Sequence, residues 1–303
     1  MASIESPAGA RRRLRLALRA LRDERGLTQA QVAEALDWSL SKVIRIERGD
    51  VTISRTDLKA ALTFYEVDDS AVVTELLDEA RASRQRGWWA EPRFRDHLTP
   101  AMVQLLQFES EATAIRSFQP TVFPGYLQTD SYATPIVNFF QDLLPAETRA
   151  VRLELRTLRH VHIFDRPNPP QYLLLIDESV LWRQIGGPQV LAEQLQRLLR
   201  EIEGGHVRCR VLPLADPTLA ALMGPFRLLD LGDLDDDSNT VLYREAQTDD
   251  EVVQDLGTVA RHRGVFERMW ENALDDEQSD RLIRARLATL LTSLDLSARL
   301  ARR

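Results

Sequence analysis

Residues 27–49 constrain the fold of this chain more than any other stretch, because they predict two short helices joined by a tight turn. Thr28 and Gln31 have the three-residue spacing of a capping box at the start of the first helix. Ser39 can cap the second helix, and Gly49 can supply the left-handed residue that commonly ends one. The stretch therefore predicts a helix-turn-helix unit.

The apolar residues of this stretch recur on one side of each predicted helix. They are Val32, Ala33 and Leu36 in the first helix, and Val43 and Ile46 in the second. The other positions of the second helix can hydrogen-bond or carry positive charge: Ser41, Lys42, Arg45 and Arg48. A helix that is buried on one side and cationic on the other fits the major groove of DNA.

Three features carry a resemblance to a known family: Leu27-Thr28-Gln29, Val32-Ala33-x-x-Leu36 and Val43-x-Arg45-Ile46-Glu47-Arg48-Gly49. Together they resemble the Cro/repressor-like (XRE-type) helix-turn-helix family, and the combination is specific although each part alone is weak. The resemblance implies that Gln29 binds a DNA phosphate and that the start and middle of the second helix read bases. The predicted DNA-binding residues are Gln29, Ser39, Leu40, Ser41, Lys42, Arg45 and Arg48.

Two residues depart from the pattern of that family. Asp37 stands where a turn glycine is common, which bears on the geometry of the turn. Ile44 stands where a polar residue is more usual, and its side chain is expected to contact either a thymine methyl group or the protein itself.

The charge of the chain is unevenly distributed. Residues 1–60 contain 12 Lys and Arg against 8 Asp and Glu, a balance of +4, whereas the remaining residues contain 27 against 38, a balance of −11. Attraction to DNA phosphates must therefore come from the first segment, because the remainder repels them.

The totals exclude several classes of protein. No run of about eighteen apolar residues is present, so no membrane span is expected. The basic N-terminus lacks the apolar core of a secretory signal. The single cysteine, Cys209, excludes an internal disulfide and a cysteine-rich metal site. These observations favour a cytoplasmic protein.

The first 86 residues predict a DNA-binding bundle of four or five helices. Residues 1–10 are expected to be a disordered tail, and residues 11–25 a helix with a leucine stripe flanked by arginines. The arginines of residues 11–15 either contact DNA phosphates or lie on a solvated helix face. Ser54 and Asp57 predict the cap of a further helix.

Residues 87–303 predict a second domain that mixes strands and helices. The expected strands are 172–176, 207–212, 226–231 and 241–246, the last two as a hairpin, in a mixed sheet of about four strands. The expected helices are 100–117, one capped by Thr129 or Asp130, 150–160, 178–185, one opened by Pro188, one from Asp249 to about Arg263, and 276–300. Residues 118–128 are expected to form an extended loop. The predicted fold is thus an all-α helix-turn-helix bundle followed by an α+β domain.

Six phrases of this second half also resemble a known group. They are Phe123-Pro124-Gly125-Tyr126-Leu127-Gln128-Thr129-Asp130-x-Tyr132-Ala133, Asp177-Glu178-Ser179-x-Leu181-Trp182-Arg183, Gly186-Gly187-Pro188, Gln194-Leu195-x-x-Leu198, Arg210-Val211-Leu212-Pro213 and Gly224-Pro225-Phe226. They resemble the C-terminal domain of antitoxin-like transcriptional regulators of high-GC bacteria. The resemblance implies a DNA-binding regulator that is often paired with a small protein encoded nearby.

Catalytic and metal-binding patterns are not evident in the second domain. His160 and His162 would share one face of a strand, but no third ligand lies at a suitable spacing. The aspartates of residues 233–237 lack the glycine and terminal glutamate of a calcium loop, which favours a solvated hairpin tip. Ser179 lacks the glycines of a nucleophile elbow, and Cys209 is expected to be buried and inert. No cofactor motif is present, so we do not expect an enzyme.

Residues 118–132 are rich in aromatic and turn residues and either pack on the core, which is favoured, or line a ligand pocket.

The sequence predicts a dimeric, sequence-specific DNA-binding regulator whose second domain dimerises and binds a small partner protein. The alternative is a repressor that senses a small molecule through the same domain. An enzyme fused to a DNA anchor is the least favoured interpretation.

Overall fold

A computed structural model of the chain describes residues 7–49, 51–85, 87–215, 222–232, 239–245 and 250–301. The chain divides into two units, Met1–Glu91 and Pro92–Arg303. The first unit is helical and the second combines a mixed sheet with many helices, so the predicted fold class is confirmed.

The described part of the first unit contains five α-helices and a short 3₁₀ turn at Trp88–Ala90. The helices are α1 (Pro7–Glu24), α2 (Gln29–Ala35), α3 (Leu40–Arg48), α4 (Arg55–Phe64) and α5 (Ser70–Ala82). Each helix contributes to one apolar core that includes Leu14, Val32, Val43, Leu58 and Leu76. Burial of these faces, which recur at helical spacing, is the main force that holds such short helices in place.

Helix α1 begins earlier than the sequence suggested. Residues 7–10, predicted as the end of a disordered tail, form its first turn and are buried. Pro7 suits this first position because the N–H that proline lacks has no partner inside a helix there. Residues 1–6 of the predicted tail lie outside the described residues.

Among the described residues, the sheet of the second unit has six strands, where about four were expected. They are β1 (Ala114–Gln119), β2 (Gln171–Asp177), β3 (Arg208–Leu212), β4 (Phe226–Asp230), β5 (Thr240–Arg244) and β6 (Glu251–Val253). Their order is β3-β2-β1-β4-β5-β6. The pairs β1–β2 and β2–β3 are parallel, whereas β1–β4, β4–β5 and β5–β6 are antiparallel. The predicted hairpin is the β4–β5 pair.

Helices cover both faces of this sheet. They are α6 (Pro92–Arg95), α7 (Pro100–Glu109), α8 (Asp130–Asn138), α9 (Ala146–Phe164), α10 (Ser179–Trp182), α11 (Pro188–Glu203), α12 (Leu256–Asn272) and α13 (Asp276–Ala301). On one face Phe118, Leu175 and Phe226 pack with Phe266 of α12. On the other face the ring of Tyr172 lies 5.7 Å from that of Phe164 in α9. Adjacent strand residues point to opposite faces, so both faces are apolar.

Strand β1 corrects the predictions of a helix over 100–117 and a loop from residue 118. Helix α7 ends at Glu109, and the following residues enter the centre of the sheet. Strand β1 contains polar residues, so its sequence does not look like that of a buried strand. In the fold, the guanidinium of Arg116 pairs with the carboxylate of Asp230 on the neighbouring strand β4. A strand buried on both faces also lacks the apolar–polar alternation that identifies half-exposed strands.

Other boundaries also differ. Helix α10 ends at Trp182 rather than Ile185. Helix α12 begins at Leu256 and is capped by Asp255, because strand β6 occupies the residues that were assigned to its start. The predicted cap Asp249 and the acidic residues 233–237 lie outside the described residues.

The predicted start of α11 is confirmed: Gly186 and Gly187 have φ values of 75° and 98°, and Pro188 opens the helix. The cap of α8 is Thr129, one of the two candidates. Cys209 is buried in β3, as expected. None of the helices in the described ranges is both long and apolar enough to span a membrane.

Candidate nucleic-acid interface

The caps predicted for the helix-turn-helix are all present. Thr28 Oγ1 accepts a hydrogen bond from the Gln31 N–H at 3.2 Å, and Gln31 Oε1 accepts one from the Thr28 N–H at 2.8 Å. Ser39 Oγ accepts from the Lys42 N–H at 3.2 Å, and Gly49 ends α3 with φ of 80°. These bonds satisfy helix-end groups that lack partners within the helix, and they fix where α2 and α3 begin.

Asp37, which replaces the turn glycine of the resembled family, keeps the turn that glycine would make. Its φ of 52° lies in the left-handed region, which aspartate tolerates better than most residues. The Trp38 N–H then donates to the Ala33 carbonyl at 2.8 Å and closes the turn. Asp37 therefore allows a closed turn between α2 and α3 without a glycine.

Helix α3 is anchored on one side and open on the other. Val43 and Ile46 are buried in the core of the first unit. The exposed residues of α3 and its cap are Ser39, Leu40, Ser41, Arg45 and Arg48. Ile44 is half-buried, which leaves both of its expected contacts open. A hydrogen-bonding and cationic surface thus runs along the outer side of a rigidly held helix.

Lys42 differs from its neighbours because its charge is already compensated within the protein. Its Nζ lies 2.9 Å from Asp57 Oδ1 and 4.1 Å from the centroid of the Trp38 ring. Partial burial acts to raise the pKa of Asp57, but hydrogen bonds from Lys42 and Ser54 outweigh it and lower that pKa. One of the three N–H donors of Lys42 is thus bound to Asp57, and the charge of this carboxylate opposes a contact between Lys42 and a DNA phosphate.

Gln29 is likewise held by the protein. Its Nε2 donates to Glu47 Oε2 at 2.8 Å, and Glu47 also accepts two hydrogen bonds from Arg22, at 2.7 and 3.1 Å. Arg22 and Glu47 are both buried. This cluster was not predicted from the sequence, although Glu47 lies inside one of the three features that carry the family resemblance. The cluster joins α1, α2 and α3 and sets the position of Gln29.

The arginines of residues 11–15 were expected either to contact DNA phosphates or to lie on a solvated helix face, but several of them are in contact with the protein instead. Arg12 is buried, and Arg13 Nε lies 2.6 Å from Glu79 Oε1 of α5. Arg11 is half-buried, and burial lowers the pKa of its guanidinium. The ion pair between Arg13 and Glu79 thus joins α1 to α5.

The histidines and the cysteine of the second unit form no recognisable metal site in the described part of the chain. Within the described ranges, no three His, Cys, Asp or Glu residues are grouped so that they could hold a metal ion. His160 and His162 lie on helix α9, not on a strand. Burial raises the pKa of the Cys209 thiol well above its usual value, which keeps the thiol protonated and unreactive.

The loop after β1 packs on the core, which was the favoured expectation, and part of it also lines a cavity. Phe123, Tyr126 and Tyr132 are buried and pack on the core. Thr121 and Val122 of the same loop also line a cavity of about 670 Å³ in the second unit. This volume is within the range of small-molecule sites.

Comparison with known proteins assigns a family to each part of the chain. Residues 13–76 match the family described as a helix-turn-helix domain. Residues 102–285 match the family described as a domain of unknown function, DUF5753. No curated protein and no solved structure matches the chain.

Proposed function

The chain belongs to the DUF5753 family and carries a helix-turn-helix domain, and from this premise we propose that it is a sequence-specific, dimeric regulator of transcription. The helix-turn-helix domain indicates a DNA-binding regulator. Sequence specificity, dimerisation and control through the second unit are the proposal. We also propose that the chain has no catalytic activity and acts in the cytoplasm, where it meets its DNA.

The exposed side of α3 carries this proposal. Leu40, Ser41 and Arg45 project from a helix whose other side is buried, and Arg48 extends the basic surface. An arginine in the major groove can donate two hydrogen bonds to the O6 and N7 atoms of guanine. Ser39 caps α3, and Gln29 is hydrogen-bonded to Glu47 of the same helix. We assign both residues to phosphate contacts.

Dimerisation follows from the small size of one helix-turn-helix. A single copy makes few base contacts, whereas two copies on half-sites one helical turn apart double them. The resemblance of the second unit to antitoxin-like regulators supports a role for it in dimerisation and in binding a small partner protein. Partner binding would then change operator affinity through coupling between two sites.

A second candidate function shares the same DNA-binding unit. The cavity of about 670 Å³ in the second unit supports a repressor that responds to a small molecule instead of a protein. Mass spectrometry of the purified, undenatured chain separates the candidates, because a partner protein and a small metabolite differ greatly in added mass.

The main proposal is tested by selecting duplexes from a random pool with the full chain. A palindromic consensus is expected, with sedimentation showing two chains per duplex. Arg45→Ala is expected to weaken consensus binding by about 1–3 kcal/mol and to relax specificity at one base pair. Arg81→Ala, an exposed arginine of α5, is the matched control. Equal losses on consensus and mutated duplexes would exclude base reading by Arg45, and a selection without a consensus would exclude sequence specificity.

A further inference from the structure

The cavity of the second unit lies between α9 and one face of the sheet. It has a volume of about 670 Å³, and α9 contributes Arg152, Leu155, Arg156 and Arg159 to its lining. Residues four and three apart lie on the same side of a helix, so the three arginines form one basic row. The sheet supplies the opposite wall.

The wall formed by the sheet adds a fourth arginine. Arg227 of β4 lines the cavity and lies opposite Ser117 of β1 and Tyr243 of β5 in the strand register. Its guanidinium lies over the rings of Tyr126 and Tyr243, at 5.4 and 5.5 Å from their centroids. Arg227 is only 3% exposed. Its Nε is buried without a hydrogen-bond partner in the described structure, so one donor of this arginine is unused.

The carboxylates near the cavity compensate only two of these four arginines. Glu109 accepts hydrogen bonds from Arg159 at 3.0 and 2.5 Å, and Glu245 pairs with Arg227 at 3.1 Å. Asp250 also lines the cavity. Arg159 and Arg227 are therefore each paired with a carboxylate.

Arg152 and Arg156 form no such ion pair in the described part of the chain, although the charge of Glu245 acts on Arg156 from a greater distance. Arg156 donates to two neutral acceptors, Gln128 Oε1 at 2.9 Å and the Arg152 carbonyl at 2.6 Å. Among the residues that the structure describes, no carboxylate forms an ion pair with either guanidinium. Burial and, secondarily, the charge of Arg159 lower the pKa of Arg156 to about 10. A counter-charge at this position would relieve an unfavourable arrangement of neighbouring, half-buried cations.

The rest of the lining is largely apolar. The cavity wall includes Met102, Phe123, Ile136, Phe140 and Leu155. An apolar wall around a few charged groups is typical of sites that bind amphipathic small molecules. A metal cation would be repelled by the arginines, and a neutral ligand would leave two guanidiniums uncompensated.

We propose that this cavity binds a small organic anion, with a carboxylate or phosphate head held by Arg152 and Arg156 and an apolar body against Phe123 and Leu155. Guanidinium groups bind both head groups through paired hydrogen bonds. This proposal names the class of ligand for the repressor that responds to a small molecule. Binding of the anion does not depend on the proposed regulatory function, but an effect of the anion on operator binding does.

Calorimetric titration of the full chain without DNA tests the site. The probes are octanoate, octyl phosphate and octan-1-ol, which share an apolar chain and differ in the head group. At least one anion is expected to bind about tenfold more tightly than the alcohol, and the tighter anion identifies the head group. Equal affinity for all three probes, or no binding of either anion, would overturn the proposal.

Variants locate the anion within the cavity. Arg152→Gln is expected to weaken binding of the preferred anion about tenfold, whereas Arg200→Gln, on the exposed side of α11, is expected to leave it unchanged. Arg152→Gln removes no described side-chain contact, so the variant is expected to fold, and circular dichroism checks this. Unchanged affinity in a folded Arg152→Gln variant would refute the assignment.

Gel shifts on the selected duplex, with and without the anion, keep the two proposals separate. Absence of operator binding both with and without the anion, in a chain that binds the anion, would refute the regulator and leave the site. Absence of anion binding in a chain that binds its operator would refute the site and leave the regulator.

Discussion

Lys42 Nζ lies 2.9 Å from Asp57 Oδ1, so a lysine of the predicted DNA-contacting helix is paired with a carboxylate of the next helix. The side chains are 32% and 29% exposed, so the pair is reachable by solvent and contributes at most about 1 kcal/mol to stability. This pair sets a competition between a protein carboxylate and a DNA phosphate for one lysine.

Removing the carboxylate is expected to strengthen DNA binding. Asp57→Asn frees Lys42 and deletes a negative charge beside α3, while its amide oxygen can still accept from Ser54. The affinity for duplex DNA is expected to rise, and the slope of log affinity against log salt to steepen by about one. Binding isotherms at several salt concentrations measure both. Asp78→Asn, on the exposed side of α5, is the control. Slopes that coincide for wild type and Asp57→Asn would show that Lys42 does not reach phosphate.

The cluster of Arg22 and Glu47 is expected to be essential for the stability of the first unit. Glu47→Gln removes the buried counter-charge of Arg22 and leaves it only the exposed Asp23, at 2.7 Å, so the free energy of unfolding is expected to fall by about 3 kcal/mol. Glu66→Gln, which breaks the exposed pair with Arg25, is expected to change it by less than about 1 kcal/mol. Urea unfolding followed by circular dichroism measures both. Similar losses in the two variants would contradict a special role for burial.

The end of α3 is expected to require glycine. Gly49 has φ of 80°, and an added Cβ would lie 2.9 Å from Cδ of Arg15. Gly49→Ala is expected to destabilise the fold by about 1–2 kcal/mol, mainly through the backbone conformation. Gly224→Ala is the matched control, since a Cβ there meets no atom within 4 Å and no positive φ is required. Equal midpoints of urea unfolding for the two variants would contradict the prediction.

Acid is expected to weaken the attachment of α13 to the sheet. Burial acts to raise the pKa of Asp276, but hydrogen bonds from Arg210 and Arg208 outweigh it and hold that pKa below 3.8. The contribution of Asp276 to stability is therefore full above pH 3.8 and is lost as the pH falls through the folded-state pKa. The difference in unfolding free energy between wild type and Asp276→Asn should shrink over this acid range. A difference that stays constant from neutral pH into this range would contradict the linkage.

The helix-turn-helix could be predicted from sequence because its signals are local. The caps Thr28 and Ser39 act within three residues, and Gly49 is recognisable by its position after the last basic turn. The partners of the predicted contact residues could not be predicted in this way. Asp57 and Glu47 are 15 and 18 residues away from Lys42 and Gln29, on other helices. Only the packing of three helices brings these side chains together.

In the sheet, too, contacts between residues far apart in the sequence could not be predicted. Strand β2 is a continuous apolar run and was predicted, whereas β1 contains Arg116 and Ser117 and was assigned to a helix. The polarity of Arg116 is tolerated because Asp230, 114 residues later, pairs with it in the folded sheet. The basic row of α9 was visible in the sequence only as part of an arginine-rich helix. The facing wall at Arg227 comes from a strand far along the chain.

The seclusion of Cys209 in β3 makes the wild-type chain a convenient background for site-directed labelling. A cysteine introduced at an exposed position, such as Arg81→Cys, would be the single thiol that a maleimide dye can reach under native conditions. One fluorophore per chain could then be attached without first replacing the natural residue, and dimer assembly on a duplex could be followed by energy transfer.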